Sequence, residues 1–346
     1  MLKINDRLIS STNPPYVIAE LSANHNGNIE RAIAIIDAAK RSGADAVKLQ
    51  TYRPDTITLD SNAPEFIIEG GLWDGKSLYD LYEWAHTPWE WHRPLFEYAR
   101  KIGITIFSSP FDNTAVDLLE DLNTPAYKIA SCEAIDLPLI KYVAQTGKPM
   151  IISTGMANAE EIQEAIDSAR EGGCTQLAIL HCVSGYPAPP EDYNLLTIQD
   201  MKNRFDLPVG LSDHTLDNTT AITSVALGAC IIEKHVTLDR NGGGPDDSFS
   251  LEEPELNALC TDVYTAWKAL GQVDYGLKSS EQGSVKFRRS LYFVNDIKPG
   301  EVVCAKHIKS IRPGYGLAPK FYDDVIGKVA KIERKSGDPV NIEAFK

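Results

Sequence analysis

Cysteine is scarce in this sequence and unpaired in its spacing. Six of 346 residues are cysteine (Cys132, Cys174, Cys182, Cys230, Cys260 and Cys304), and no two form a Cys-x-x-Cys motif. A disulfide framework is therefore not expected. Most of the six lie in or beside apolar runs and read as buried free thiols of a reducing compartment. Long apolar runs are missing as well: none reaches the roughly 18 residues of a membrane-spanning helix. Residues 1–15 lack the basic start and apolar centre of a signal peptide. The expectation is a cytoplasmic protein with no membrane partner. Positive charge is in deficit, with 34 Lys and Arg against 48 Asp and Glu and a net charge of −14. That argues against a nucleic-acid partner, whose backbone needs a positive field, but leaves room for a small anion met by a local pair of lysines. No glycine-rich fingerprint follows the first strand and there is no P-loop, so the sequence makes no case for a dinucleotide or nucleoside-triphosphate fold.

What is present is a regular alternation. Short apolar runs suited to buried parallel strands recur at Tyr16–Glu20, Ala46–Gln50, Gly103–Phe107, Ala126–Ala130, Met150–Ser153, Leu177–Leu180, Val209–Ser212 and Cys230–Glu233. Helical segments lie between them. Asn28 is the expected N-cap of a helix from Ile29 to Arg41 that Gly43 ends, and Thr87-Pro88 starts another with proline at its first helical position. A helix from Leu251 to Leu270 closes the series. Eight strand–helix units predict a (β/α)8 TIM barrel over residues 1–271, with a doubly wound open sheet as the runner-up. Residues 272–286 are polar and aperiodic, which suits a linker. Residues 287–346 are short segments punctuated by Pro and Gly, expected to form a small β-rich domain.

In such a barrel the strand ends surround one pocket at the C-terminal face. His214 and His235 stand at the ends of the seventh and eighth strands and could share a metal ion; structural histidines are the plainer alternative. Lys48 and Lys128 lie within strands and are expected to point into the mouth. With the Ser and Thr hydroxyls they make a phosphate or carboxylate pocket, flanked by Glu20 and Glu133. The lysines could instead pair with Glu20 and Glu133 as a structural network, or one of them could form a Schiff base as in an aldolase.

Six motifs in this order resemble the sialic acid synthase family: Ala19-Glu-Leu-Ser-Ala-Asn-His25, Lys48-Leu-Gln50, Phe107-Ser-Ser-Pro-Phe111, Tyr127-Lys-Ile-Ala-Ser131 with Glu133, Gly210-Leu-Ser-Asp-His214, and Glu233-Lys-His235. Arg312-Pro-Gly-Tyr-Gly316 resembles the family's C-terminal antifreeze-like (SAF) domain. The insertion with Gly70-Gly-Leu-Trp73, Leu78-Tyr-Asp-Leu-Tyr82 and Thr87-Pro-Trp-Glu-Trp-His92 is similar to the pseudaminic acid branch. So is the departure at His181-Cys-Val-Ser-Gly-Tyr-Pro187, where Ser184 takes the place of the asparagine usual in the sialic acid branch. The N-acetylneuraminate and legionaminic acid branches are the alternatives.

The resemblance implies condensation of phosphoenolpyruvate with an open-chain acetamido sugar aldehyde, with C–O cleavage and release of phosphate. It implies a divalent ion on His214 and His235, Mn²⁺ or else Mg²⁺ or Co²⁺. It assigns Lys48 and Lys128 to the anionic groups of phosphoenolpyruvate, with Ser109, Ser131, Ser153 and Ser212 donating to the same oxygens. Glu133 is assigned to proton transfer, and Glu20, Gln50 and Asp246 to sugar hydroxyls. Ser184 belongs to a sugar or phosphate contact, and Tyr186 lines the pocket. Arg312 is expected to reach the active site of the other subunit in a domain-swapped homodimer. The tryptophans of the insertion (Trp73, Trp84, Trp89 and Trp91) are expected to be mostly core, with one or two forming an apolar wall for a 6-deoxy sugar.

Overall fold

Eight of the apolar runs become eight parallel strands, and these close on themselves. The computed structural model describes residues 2–346. After a hairpin of β1 (Leu2–Ile4) and β2 (Arg7–Ile9) come β3 (Tyr16–Glu20), β4 (Ala46–Thr51), β5 (Thr105–Pro110) and β6 (Tyr127–Ile129). They are followed by β7 (Met150–Ser153), β8 (Leu177–Cys182), β9 (Val209–Asp213) and β10 (Ile231–His235). The order is β10-β3-β4-β5-β6-β7-β8-β9, with β10 pairing β3 to complete a closed barrel. The TIM barrel read from the alternation is thus the fold of residues 16–235, and an open sheet is excluded by that last pairing. Helices wrap it because their apolar faces match the outward residues of the strands: Ile35, Ile36 and Ala39 pack in one core with Val17, Val47 and Ile106.

The caps explain where helices stop and start. Asn28 Oδ1 accepts the backbone N–H groups of Glu30 and Arg31 at the head of helix Ile29–Ser42, and Gly43, at φ 88°, closes it in the left-handed region. Gly103 plays the same part for helix His92–Ile102, with φ 74°. It therefore cannot begin the third barrel strand as expected, and β5 starts two residues later. Pro88 is likewise extended rather than helical: a 3-10 turn at Trp89–Trp91 intervenes before the helix.

The polar start expected before the first strand is instead the β1–β2 hairpin. Its Leu2, Ile4 and Ile9 are buried against Tyr16, Ile18, Phe107 and Leu180, forming a second apolar cluster at the strands' early residues. A glycine is needed inside the barrel at Gly210. A Cβ there would lie 2.5 Å from Ile231 O and 2.6 Å from Leu180 Cδ2.

Residues 272–346 form a second compact unit. Ser279–Phe287 carries 3-10 turns and is exposed throughout, where a featureless linker was expected. Beyond it, β11 (Ser290–Phe293) pairs antiparallel with β12 (Ile308–Ile311). A small core of Leu291, Phe293, Val303, Val325, Val340 and Phe345 lies beneath. Among the described residues no helix is long and apolar enough to cross a membrane, and no disulfide links the six cysteines. Cys132 departs from the expectation of burial: it is exposed, at the lip of the cavity described next.

Candidate active site

Residue parity along the strands decides which side chains enter the barrel. On β10, Glu233 and His235 point in. Lys234 points out and is consumed by Asp213 Oδ2 at 2.9 Å and by the carbonyls of Thr215 and Asp217 at 2.8 and 2.6 Å. On β9 and just after it, Ser212 and His214 point in, while Asp213 serves Lys234. On β4 the inward pair is Lys48 and Gln50.

These inward groups meet in two layers. In the deeper one, Lys48 Nζ lies 2.8 Å from Glu20 Oε2 and 3.7 Å from Glu233 Oε1. Lys128 Nζ lies 2.9 and 3.1 Å from the two oxygens of Glu233. Ser109 Oγ accepts from Lys48 at 3.2 Å, and Ser212 Oγ donates to Glu233 at 3.3 Å. All six residues are buried. The lysines do pair with carboxylates, as the structural alternative held, but Lys128 takes Glu233 and not Glu133. Burial opposes charge on Glu233, yet Lys128 and Lys48 outweigh it and hold the carboxyl down at about 2. Burial also opposes charge on Lys48, and there Glu20 and Glu233 prevail and raise its pKa. Lys128 goes the other way, lowered by burial that its one carboxylate does not offset.

The upper layer opens into a cavity of about 450 Å³ lined by Gln50, Ser131, Glu133, Tyr186, His235 and Asp246 among others. Gln50 Nε2 donates to Glu20 Oε1 and to Ser22 Oγ, both at 2.9 Å, which ties the layers together. Ser22 Oγ in turn donates to Asp246. Glu133 sits in a 3-10 turn, Cys132–Ile135, away from the lysines. Its Oε2 is buried with no hydrogen-bond partner among the described residues, and burial pushes its pKa up to about 7. The Tyr186 ring stacks at a tilt on His214, centroids 4.4 Å apart, and lies 6.0 Å from Trp73, whose Nε1 donates to Pro245 O at 3.1 Å.

Ser153 and Ser184 each have a buried hydroxyl without a protein partner. Ser131 donates to Cys182 Sγ at 3.3 Å. Gly155, at φ 43°, is pressed between Ser131 and Ser184: a Cβ there would lie 2.4 Å from Ser131 Cβ and 2.9 Å from Ser184 Oγ. Unpartnered hydroxyls beside a glycine-lined gap suit the oxygens of an anion.

His214 and His235 face each other, with ring centroids 5.4 Å apart. His214 Nδ1 is 2.8 Å from Val183 O. Donation to that carbonyl leaves the Nε2 lone pair free, the tautomer a metal-bound histidine needs. His235 Nδ1 is buried without a hydrogen bond, 3.5 Å from Asp246 Oδ2. No group of three or more His, Cys, Asp or Glu side chains converges as a metal cage among the described residues. With a free Nε2 on His214 and an unbonded Nδ1 on His235, the two facing imidazoles would suit a divalent ion as a two-nitrogen donor set.

The profile of the NeuB family matches residues 35–275. The chain belongs to the NeuB family. The SAF domain matches residues 288–345. Among curated relatives, pseudaminic acid synthase of Campylobacter jejuni subsp. jejuni serotype O:23/36 (strain 81-176) is 44% identical over 331 residues, covering 96% of each chain. Pseudaminic acid synthase of Helicobacter pylori (strain ATCC 700392 / 26695) is 43% identical, covering 95% of this chain and 97% of its own. Among solved structures, N-acetylneuraminic acid synthetase from Leptospira borgpetersenii serovar Hardjo-bovis, in complex with citrate, aligns with a TM-score of 0.73 at 32% identity. It covers 83% of this chain and 95% of that one.

Of the expected site residues, the structure brings together Glu20, Lys48, Gln50, Ser109, Lys128 and Ser212 around Glu233, and Glu133, Ser131, Tyr186, His235 and Asp246 around the cavity. His214 joins the second group through Tyr186 and His235. Arg312 lies exposed in the other compact unit. Sequence reasoning gave Glu233 no role, although its parity with His235 was available. Ser22 was missed outright, having no partner visible until Asp246 folds back over it. Among the insertion tryptophans only Trp73 lines the cavity. Trp91 packs edge-on against His25, and Trp84, at 40% exposure, is neither core nor wall.

Proposed function

We propose that this chain condenses phosphoenolpyruvate with 2,4-diacetamido-2,4,6-trideoxy-β-L-altropyranose and water, giving pseudaminic acid and inorganic phosphate. It is a carbon–carbon bond-forming transferase of nonulosonic acid biosynthesis. The observation that carries this reading is 44% identity to a pseudaminic acid synthase across nearly the whole of both chains. The inward lysines and the facing histidines are the chemistry such a reaction needs.

Lys48 and Lys128 bind the carboxylate and phosphate of phosphoenolpyruvate, exchanging Glu20 and Glu233 for substrate oxygens, and Ser109, Ser131, Ser153 and Ser212 donate to the same oxygens. C3 of phosphoenolpyruvate forms the new bond to the sugar aldehyde carbon, whose oxygen takes a proton from the Glu133 carboxyl. A water oxygen bonds to C2 and gives its proton to the Glu133 carboxylate. The bond from C2 to the bridging oxygen of the original phosphate ester then breaks, and phosphate leaves with that bridging oxygen and with the remaining proton of the C2 hydroxyl, so the water-derived oxygen stays as the ketone. A divalent ion on His214 and His235, Mn²⁺ by preference, would supply Lewis-acid polarisation of the aldehyde oxygen. Glu20, Gln50 and Asp246 hold sugar hydroxyls, Ser184 meets the sugar or phosphate, and Tyr186 lines the pocket.

In this reading residues 1–271 carry both substrates, residues 272–286 tether, and residues 287–346 deliver Arg312 of the partner subunit in a domain-swapped homodimer. Six free cysteines fit a cytoplasmic setting. The test is phosphate release from phosphoenolpyruvate and Mn²⁺ with a panel of acetamido sugars. Turnover should be greatest with the trideoxy-L-altrose sugar, and preference for N-acetylmannosamine would overturn the assignment.

A further inference from the structure

The cavity lining is of two chemical kinds. One carries Glu133, Asp246, His235 and Gln50. The other is built from Tyr52, Ile57, Leu81, Tyr82, Ala85 and Phe111. These six come from the end of β4, the short helix Pro54–Ile57, the helix Leu78–Ala85 and the end of β5. They are locked by edge-to-face contacts of Tyr52 with Tyr82 and Phe111, centroids 5.7 and 5.1 Å apart. Tyr52 and Leu81 are buried, while Ile57 and Ala85 are half-buried and line the cavity. None of these six side chains is charged. Of the expected tryptophan wall Trp73 alone lines the cavity, and smaller apolar groups of the insertion, with Phe111 from the end of β5, make up the rest.

From this juxtaposition we infer that the insertion wall is a specificity subsite for the methyl-bearing end of the acceptor sugar, formed chiefly by Ile57, Leu81 and Ala85. A 6-deoxy sugar presents a methyl where other hexoses present a hydroxymethyl, and an acetamido group presents another methyl. Either group removes apolar surface from water against these side chains without stranding a polar atom. A hydroxyl directed at Ile57, Leu81 and Ala85 finds no partner on those three side chains and loses its hydrogen bonds to water. Differences of one such group in an apolar pocket are worth about 10- to 200-fold in kcat/KM. The inference rests on the acetamido-sugar reading of the site and adds which residues read the sugar.

The experiment measures KM and kcat for the trideoxy-L-altrose sugar, for N-acetylmannosamine and for phosphoenolpyruvate in the Mn²⁺-loaded enzyme and three variants. Ile57→Asn makes the wall polar, Ala85→Leu fills the concavity, and Trp84→Ala alters an exposed neighbour outside it. Ile57→Asn and Ala85→Leu should each raise KM for the trideoxy sugar about tenfold or more. Ile57→Asn should narrow the preference over N-acetylmannosamine. KM for phosphoenolpyruvate should stay within about twofold in all three, which also reports that the barrel is folded. Trp84→Ala should match the wild type. If the wild type prefers the trideoxy sugar and both wall variants keep its KM, the inference falls alone. If the wild type prefers N-acetylmannosamine, the substrate reading falls and takes the inference with it. Should Ile57→Asn fail to fold, Ala85→Leu at its half-buried position decides the matter.

Discussion

Glu133 and Glu233 are both inward-facing carboxyls on one barrel, and their surroundings drive them in opposite directions. Glu233 is flanked by two ammonium groups and stays ionised. Glu133 has burial and no cation, and titrates at about 7. If the Glu133 carboxylate accepts a proton in the reaction, kcat/KM should rise with pH through about 7. Glu133→Gln should remove that limb and cost about 10²- to 10⁴-fold in rate. A pH–rate profile of both enzymes checks it; an unchanged limb in the variant would remove Glu133 from the role. The stability sign is the reverse of the usual salt-bridged carboxylate. A raised folded pKa means the native state holds the proton longer than the unfolded chain. Stability from this group therefore falls as pH climbs from the ordinary glutamate range to about 7. For Glu233 the expectation concerns pairing. Glu233→Gln leaves Lys128 with no carboxylate partner in a buried site and should cost about 3–5 kcal/mol in urea unfolding. Adding Lys128→Met should recover part of that loss. Equal midpoints for wild type and E233Q would contradict the pairing.

At the scale of elements, the strands were legible because eight buried runs each end in polar residues, and helices with proper caps, such as Asn28 to Gly43, announced themselves. What the sequence hid was hidden for physical reasons. Gly103 looks like the first residue of an apolar run, but its conformational freedom is spent closing the preceding helix. Leu2, Ile4 and Ile9 are too few and too interrupted by polar residues to read as a hairpin, and only the barrel beneath gives them something to bury against. At the site, His214, His235, Lys48 and Lys128 were visible from position alone. The Glu233 pairing and the Ser22–Asp246 link depend on residues more than 100 positions apart and have no local signature. The hairpin offers a direct test of element-level packing. Ile4→Ala should lower stability by about 2–5 kcal/mol through the cavity it leaves, with kinetic constants unchanged. A variant as stable as wild type would mean that the cluster collapses freely.

The whole molecule raises the question of what the second unit is for. Its loop at Arg312–Gly316 is held firmly: Ser290 Oγ donates to Pro313 O at 2.7 Å and accepts from Gly316 N at 2.9 Å. Arg312 and Tyr315 nonetheless stand exposed, a rigid presentation suited to binding something outside that unit. If Arg312 acts in the other subunit, Arg312→Ala and Glu133→Gln are each defective alone but complement each other when mixed. Half of randomly assembled dimers then hold one intact site, restoring about a quarter of wild-type turnover. Phosphate-release assays on unfolded and co-refolded mixtures check this, and no recovery would place Arg312 in its own subunit's site or in none.

The paired lysines carry one more implication, for the order of events. Before any ligand arrives, Lys48 and Lys128 are neutralised by Glu20 and Glu233. A polyanion that takes the lysines strands two carboxylates in a water-poor barrel, and the site becomes strongly negative. If a cation binds at the adjacent histidines it eases that build-up of charge, so each ligand should tighten the other by the same factor, as linkage requires. Titrating Mn²⁺ with and without phosphoenolpyruvate, and the converse, should return equal ratios well above one. In Glu233→Gln, with one buried negative charge fewer, that mutual tightening should shrink.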